Sequence, residues 1–440
     1  MASDAPAAPR RARPTGSADG ARSSGSSGPS APRGSRGSTA NGPRILFVGL
    51  LVCWVLFPFL QTDLIAEDAI PFIAAGRIAA ASPRDIYSGD QKAQVPTALR
   101  DAGCPMTPAG TDCALYVLPY LSSPQLLPAT RAIGALGDSP AILVMRLLSV
   151  LAFAGGMWVL WCRVARDRPD AQVPLLVTGL LLTIYAYDLS AFGQNTPILF
   201  LSACLGLSRT DRPAGALGAA GAWVSAVLFK VFPLPLLLVA VLNKRWRFLA
   251  WSVALLLAAT AITALVLPTS LFGDFVATTS ASSADRVGLP RNVSLDSFVN
   301  LLDSSWRGTG AAFVAGVAVR VAAFGALAWW RLRDRDEDVQ WAYGWVLLMA
   351  LFPQIWWHYF ELLIPAVVYS LRGRRGNVWW LVPGTAVAIL PMAVLTDADT
   401  LKVIGAVLIL AAAVALPFLS TAPGAVPSTV RPKAPRPARS

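Results

Sequence analysis

Long apolar runs recur along this chain, and they constrain its fold more than any other feature. The first run begins near residue 45 and the last ends near residue 418. A helix needs about 20 mainly apolar residues to cross the hydrocarbon core of a bilayer. Only helices and closed barrels satisfy their backbone polar groups in that core. The recurring runs therefore predict an all-α polytopic membrane protein.

Composition supports the same class and excludes several others. The chain is 55% hydrophobic and 14% charged, whereas soluble domains carry roughly 25% charged residues. A soluble chain this apolar could not cover its surface with polar side chains. Collagen, coiled coils and single-pass receptors are excluded by the number and length of the apolar runs. The formal net charge of +12 lies in tails and loops, so we expect no nucleic-acid partner.

The positions of the basic residues predict the orientation of the chain. Residues 1–43 and 421–440 are basic and rich in Ser, Gly, Pro and Ala, which predicts disordered cytoplasmic tails on either side of a transmembrane domain at 44–420. The remaining Lys and Arg favour alternate loops. This bias predicts a multi-pass plasma-membrane protein with both termini in the cytoplasm and two long extracytoplasmic loops. About twelve spans are expected, at residues 45–61, 139–162, 171–190, 195–208, 214–229, 231–243, 248–267, 311–330, 339–356, 360–371, 377–396 and 402–418.

The five cysteines fall into two groups. Cys53, Cys162 and Cys204 lie in apolar runs and are expected to be inert. Cys104 and Cys113 lie in the first long loop. If that loop is extracytoplasmic, the two could form a disulfide, and the sequence leaves this open.

Ionisable residues in or beside apolar runs are the candidates for chemistry, because charge at membrane depth is costly. Those in the runs are Arg146, Asp188, Lys230, Arg320, His358 and Glu361, and Asp63, Glu67 and Asp68 follow the first run. Many of them fall at predicted outer ends. Carboxylates can deprotonate a hydroxyl, and Lys or Arg can bind phosphate. The pattern suits an outward-facing site for an anionic, lipid-linked substrate.

Each of these residues also has a plainer interpretation. The acids could be solvated loop residues, and Lys230 could extend to the membrane interface. His358 could form an interfacial hydrogen bond, while Gln194 and Asn195 could join helices. One histidine and scattered acids give no convincing ligand set, so no metal is expected.

Several short motifs, in this order, resemble those of glycosyltransferase family 87 in the GT-C superfamily. The resemblance covers roughly residues 45–420. Its landmarks are Glu67-Asp68 leading to Asp85-Ile86-Tyr87, the turn Gly193-Gln194-Asn195, Lys230 three residues before Pro233, Asn292 two residues before Ser294, and the turn Trp356-Trp357-His358-Tyr359-Phe360-Glu361.

The resemblance implies a GT-C fold and transfer of a sugar from a polyprenyl-phosphate donor, without a cofactor. The family includes mannosyl- and arabinofuranosyltransferases of the actinobacterial envelope, so one of these sugars and a glycolipid or polysaccharide acceptor are expected. It implies Asp68 as the general base, with Asp63 as its rival, and His358 at the leaving phosphate. The residues expected to bind the donor phosphate or line the pocket are Lys230, Gln194, Asn195, Arg286, Arg291, Asn292, Tyr359 and Glu361.

Two other classes of function remain open from the sequence. A multi-span transporter or lipid flippase would also have many spans and membrane-embedded charges. Long outer loops and charge at the outer ends, rather than at the midplane, argue against that class. A non-catalytic subunit of an envelope assembly is the third interpretation.

Overall fold

The computed structural model describes residues 42–61, 66, 68–87, 120–166, 168–207, 210–285, 292–302, 336–371 and 398–419, together with 318, 321–322, 325, 382 and 384–386. Within these ranges the elements are helices, and the sole β-type pairing is an isolated bridge between Asn292 and Trp356. The helices are α1 Gly42–Leu60, α2 Ile70–Ala81, α3 Leu127–Gly134, α4 Asp138–Leu160, α5 Pro169–Phe192, α6 Thr196–Leu205, α7 Pro213–Phe229, α8 Leu237–Leu242, α9 Trp246–Val266, α10 Leu271–Asp285, α11 Leu295–Leu302, α12 Glu337–Leu351, α13 Leu363–Leu371 and α14 Ala398–Leu419.

Five helices in the described ranges are long and apolar enough to cross a membrane. They are Gly42–Leu60, Asp138–Ala165, Pro169–Phe192, Trp246–Val266 and Asp399–Leu416. The second of these continues past α4 through a π-helical turn, Trp161–Ala165. An all-α membrane protein is therefore confirmed, whereas the count of about twelve spans remains a prediction.

Some predicted spans are shorter in the structure than the apolar pattern suggested. The run 231–243 contains a 3₁₀ turn, Leu234–Leu236, and only the six-residue α8. Pro233 and Pro235 explain this, because a proline inside a helix removes a hydrogen bond and clashes with the preceding turn. The run 360–371 likewise begins within a 3₁₀ turn, Trp357–Leu362, before α13. The runs 311–330 and 377–396 lie outside the ranges that the structure describes apart from single positions.

Proline and glycine set the ends of several helices. Proline stands at the first helical position of α5 and α7, where its missing N–H costs nothing. Gly193 closes α5 with φ +63°, a left-handed conformation that favours glycine. The chain then turns and begins α6 within three residues.

The packed helices form one large apolar core and a smaller second one. Helices α1, α4, α5, α6, α7, α12, α13 and α14 contribute to the large core. The second core joins α2 and α3 to the start of α4 and includes Phe72, Leu127 and Met145. The backbones of α2 and α3 approach closely in this core. A Cβ added to Gly76 would lie only 2.0 Å from the carbonyl oxygen of Thr130.

Because the helices run up and down, the helix ends gather at two ends of the bundle. We call "site end" the end where α1 and α5 finish and α6 begins. At the opposite end, a buried ion pair joins Arg163 to Asp338 at 2.6 Å. Asp338 also accepts a hydrogen bond from the backbone N–H of Leu207 at 3.0 Å. These contacts fix the ends of α4, α6 and α12 to one another.

Candidate active site

The turn between α5 and α6 is the centre of the candidate site. Gly193 is tightly packed, because a Cβ placed there would lie 3.0 Å from the Cβ of Ala69 and 3.7 Å from that of Met145. Gln194 and Asn195 follow it and are buried. Because Gly193 has no side chain, the turn can pack directly against the segment at Ala69 and against Met145 on α4.

Asp68 is attached to this turn through both its backbone and its side chain. Its backbone N–H donates to the carbonyl of Phe192 at 3.2 Å. The side-chain amide of Gln194 donates a hydrogen bond to Asp68 Oδ2. These two bonds fix the position and the orientation of the Asp68 side chain relative to the turn. Two residues that the sequence singled out separately are thus brought together.

A buried arginine lies behind this turn and supports it. The guanidinium of Arg146, on α4, donates to the carbonyls of Gln61 at 3.0 Å and Ala191 at 3.2 Å. These carbonyls stand at the ends of α1 and α5, where backbone acceptors lack partners within the helix. Ser190 adds a hydrogen bond to the Gln61 side chain at 2.8 Å. Arg146 therefore joins three helices directly below the segment that carries Asp68.

Lys230 follows the last residue of α7, at the same end. Ser122 and Ser123 satisfy the last carbonyls of that helix, with hydrogen bonds to Phe229 at 2.8 Å and Leu228 at 3.0 Å. Tyr87 in turn donates to the carbonyl of Ser122 at 2.9 Å. The described part of the first long loop therefore holds the end of α7. These contacts fix the last turn of α7, directly before the half-buried Lys230.

His358, Tyr359 and Glu361 lie in the 3₁₀ turn Trp357–Leu362, and all three are buried. The hydroxyl of Tyr185, on α5, donates to the carbonyl of His358. The rings of His358 and Tyr359 stack, with centroids 5.1 Å apart. Burial, and then the nearby charge of Lys230, lower the pKa of His358 well below its usual range. The imidazole is therefore neutral near pH 7, so one of its ring nitrogens can donate and the other can accept.

The side chain of Asn292 forms hydrogen bonds with backbone groups of the protein. Its side-chain nitrogen donates to the carbonyl of Pro353 at 2.9 Å, and its oxygen accepts from the N–H groups of Ser294 and Ile355. The side chain is fully buried. These contacts join the segment before α11 to the segment before the His358 turn, so Asn292 supports the turn through backbone contacts.

Several predicted residues lie outside the described ranges. They are Asp63, Glu67, Arg286, Arg291, Cys104 and Cys113. The roles expected for them stay predictions. In the described ranges, no group of three or more His, Cys, Asp or Glu side chains is placed to hold a metal ion.

The structure adds residues whose roles the sequence did not indicate. In the sequence Arg146 is only a charge within a run, and no pattern marks Tyr185 or Thr196. The partners of Arg146 and Tyr185, which are Gln61, Ala191 and His358, lie far away along the chain, so spacing could not reveal the contacts. The pair Ser122-Ser123 before a proline is typical of a helix start, but its bonds to the end of α7 are a tertiary feature.

Taken together, the site end offers a carboxylate, a lysine and a neutral imidazole on an all-helical membrane scaffold. A carboxylate can take a proton from a hydroxyl, and an ammonium can bind phosphate. The fold is that of a helical membrane protein, and its site end carries the residue types that transfer of a group to a hydroxyl requires.

Comparison with known families identifies the chain more closely. The model of glycosyltransferase family 87 matches residues 121–353, which is more than half of the chain. The protein belongs to this family and is a membrane glycosyltransferase. The matched residues include Gln194, Lys230 and Asn292, whereas Asp68 and His358 lie outside them. No curated protein and no solved structure matches the chain.

Proposed function

We propose that this glycosyltransferase transfers one sugar from a polyprenyl-phosphate donor to a hydroxyl of an envelope glycolipid or glycan at the outer membrane face. Mannose and arabinofuranose are the sugars that the resemblance favours, and the GT-C fold is part of the proposal. The observation that carries it is the hydrogen bond from Gln194 to Asp68, at the same end of the bundle as Lys230 and His358.

Asp68 acts as the general base in this reaction. The hydrogen bond from Gln194 orients the carboxylate, which accepts the proton of the acceptor hydroxyl. The acceptor oxygen then attacks the anomeric carbon, and the bond from that carbon to the donor phosphate oxygen breaks. The electron pair leaves with the polyprenyl phosphate, and the anomeric configuration inverts.

Lys230 binds the donor phosphate, with Arg286 or Arg291 completing the cationic surroundings. The bonds from Ser122 and Ser123 to the end of α7 support this role, because they fix the backbone from which Lys230 extends. The ammonium stabilises the charge that grows on the phosphate as the bond breaks. His358 donates a hydrogen bond to a phosphate oxygen, and because its imidazole is neutral it adds no positive charge that would repel the Lys230 ammonium.

The test is a transfer assay with the full chain in nanodiscs. Radiolabelled polyprenyl-phosphate mannose and polyprenyl-phosphate arabinose are offered separately, with an envelope lipid extract as acceptor. We expect label to enter a lipid or glycan with wild type and to fall at least a hundredfold with Asp68→Asn, because general-base catalysis contributes about 10²–10⁴.

Asp138→Asn is the matched control, because Asp138 is an acid at the same end that pairs with Arg77. It should keep wild-type transfer. Equal transfer by Asp68→Asn would reject Asp68 as the base and favour Asp63. Movement of the labelled lipid across the bilayer of sealed proteoliposomes without a new glycosidic bond would reject the transfer reaction in favour of a flippase.

A further inference from the structure

A set of buried oxygen atoms beside the candidate site has no hydrogen-bond partners within the protein. They are Oδ1 of Asn195, Oγ1 of Thr196, and both carboxylate oxygens of Glu361. Thr196 and Glu361 are fully buried, and Asn195 is 6% exposed. Buried polar groups in proteins are nearly always hydrogen-bonded, so an unpartnered group of four indicates that something else satisfies them.

These atoms come from two segments that pack together. Asn195 and Thr196 stand at the start of α6, and Glu361 lies in the 3₁₀ turn that packs against that helix. The Thr196 hydroxyl lies next to the Glu361 carboxylate but lacks hydrogen-bonding geometry towards it. Tyr185 is also close, yet its hydroxyl donates to the carbonyl of His358.

The charge of this group is also unbalanced. In the described ranges, no Lys or Arg side chain forms an ion pair with Glu361. An isolated buried carboxylate is very costly, so it must either take up a proton or bind a cation. The amide oxygen of Asn195 can only accept, and so can both oxygens of Glu361 when the carboxylate is ionised. Three of the four unpartnered atoms are then acceptors only.

We propose that Asn195, Thr196 and Glu361 form a binding site for a monovalent alkali cation. One carboxylate with two neutral oxygen donors balances a single positive charge. Mg²⁺ and Ca²⁺ also bind oxygen, but Ca²⁺ sites commonly combine several carboxylates, and transition metals prefer nitrogen or sulfur ligands. A cation here would tie the start of α6 to the His358 turn. The inference concerns the folded state and does not depend on the proposed transfer reaction.

The test measures thermal unfolding of the full chain in nanodiscs as Na⁺ replaces N-methylglucamine at constant ionic strength. A ligand that binds only the folded state, at ten times its dissociation constant, shifts the unfolding equilibrium about 11-fold. We expect a saturable rise in the melting temperature of wild type and no rise with Glu361→Gln. Identical melting in both salts would overturn the proposal and leave a proton as the neutralising partner.

A second pair of variants keeps the test decisive if Glu361→Gln does not fold. Thr196→Val removes one oxygen and should weaken the Na⁺ response at least several-fold, whereas Thr196→Ser should retain it. Thr178→Val is the matched control, because Thr178 is a fully buried threonine on α5 whose hydroxyl also has no partner. It should leave the Na⁺ response unchanged. A response that Glu361→Gln or Thr196→Val leaves intact would locate the cation elsewhere.

Discussion

Replacing Arg146 tests whether the buried guanidinium positions the catalytic segment. Its two donors bond carbonyls at 3.0 and 3.2 Å on the ends of two different helices, and the side chain is 4% exposed. Arg146→Lys keeps the charge, but a single ammonium lacks the planar fork that reaches both carbonyls. Arg146→Met removes both hydrogen bonds and leaves Gln61 and Ala191 with buried acceptors.

The expected sizes follow from the number of hydrogen bonds lost. A hydrogen bond to a charged group contributes about 1.5–3 kcal/mol, so Arg146→Lys should lower the free energy of unfolding by about that amount. Each buried carbonyl left without a partner costs about 1–3 kcal/mol, so Arg146→Met should cost about 2–6 kcal/mol. Asp68 bonds to Phe192, the residue after Ala191, and a misplacement of about 1 Å in a catalytic group can cost 10²-fold in rate. We therefore expect Arg146→Lys to reduce kcat about tenfold or more.

The assay compares melting temperature with the kinetics of sugar transfer in nanodiscs, at a temperature where every variant is folded. KM for the donor should stay within about twofold, because Arg146 acts through the backbone that carries Asp68. Arg131→Lys is the control, since Arg131 is an exposed arginine on α3 at the same end. A wild-type melting temperature and kcat for Arg146→Lys would refute the positioning role. A change in KM alone would instead indicate that Arg146 contacts the donor.

Three further predictions concern packing, the buried ion pair and pH. Gly76→Ala should cost about 1–3 kcal/mol of stability, because the new methyl group would meet the carbonyl of Thr130; an unchanged melting temperature would contradict this close approach. Asp338→Asn should cost about 3–5 kcal/mol, because it removes the negative charge with which the buried Arg163 pairs; a double variant with Arg163→Met should recover part of the loss, and no recovery would argue against the pair. Burial lowers the pKa of His358 in the folded state, so as the pH falls the unfolded state takes up the proton at a higher pH than the folded state does. The free energy of unfolding should therefore fall by up to about 1.4 kcal/mol per pH unit below about pH 6.5. His358→Gln should flatten that part of the curve of melting temperature against pH, and an identical curve would show that His358 does not contribute.

The long apolar helices were predictable because their signal is local. The runs at 45–61, 139–162, 171–190, 248–267 and 402–418 correspond closely to α1, α4, α5, α9 and α14. Continuous apolar sequence of the required length has few alternatives in a membrane. The shorter runs were harder to interpret, because the prolines that interrupt them act on backbone geometry that hydropathy does not measure.

The site was predictable only in outline. Polar residues between apolar runs pointed to Gln194, Lys230 and His358, because polar groups are costly at membrane depth. The bond between Gln194 and Asp68 joins residues 126 positions apart, so no local pattern encodes it. The same is true of the bonds that Asn292 forms with buried backbone, and its expected place in the pocket stays a prediction. Sugar and acceptor remain predictions from the resemblance, and sidedness remains a prediction from the distribution of basic residues.

The contacts of Asn292 have a consequence for how the protein could be divided. This side chain bonds the backbone at Pro353 and Ile355, and at the other end of the bundle Arg163 pairs with Asp338. Non-covalent contacts at both ends therefore hold residues after 336 to residues before 302. Two separately expressed fragments, divided between residues 302 and 336, should reassemble into an intact bundle.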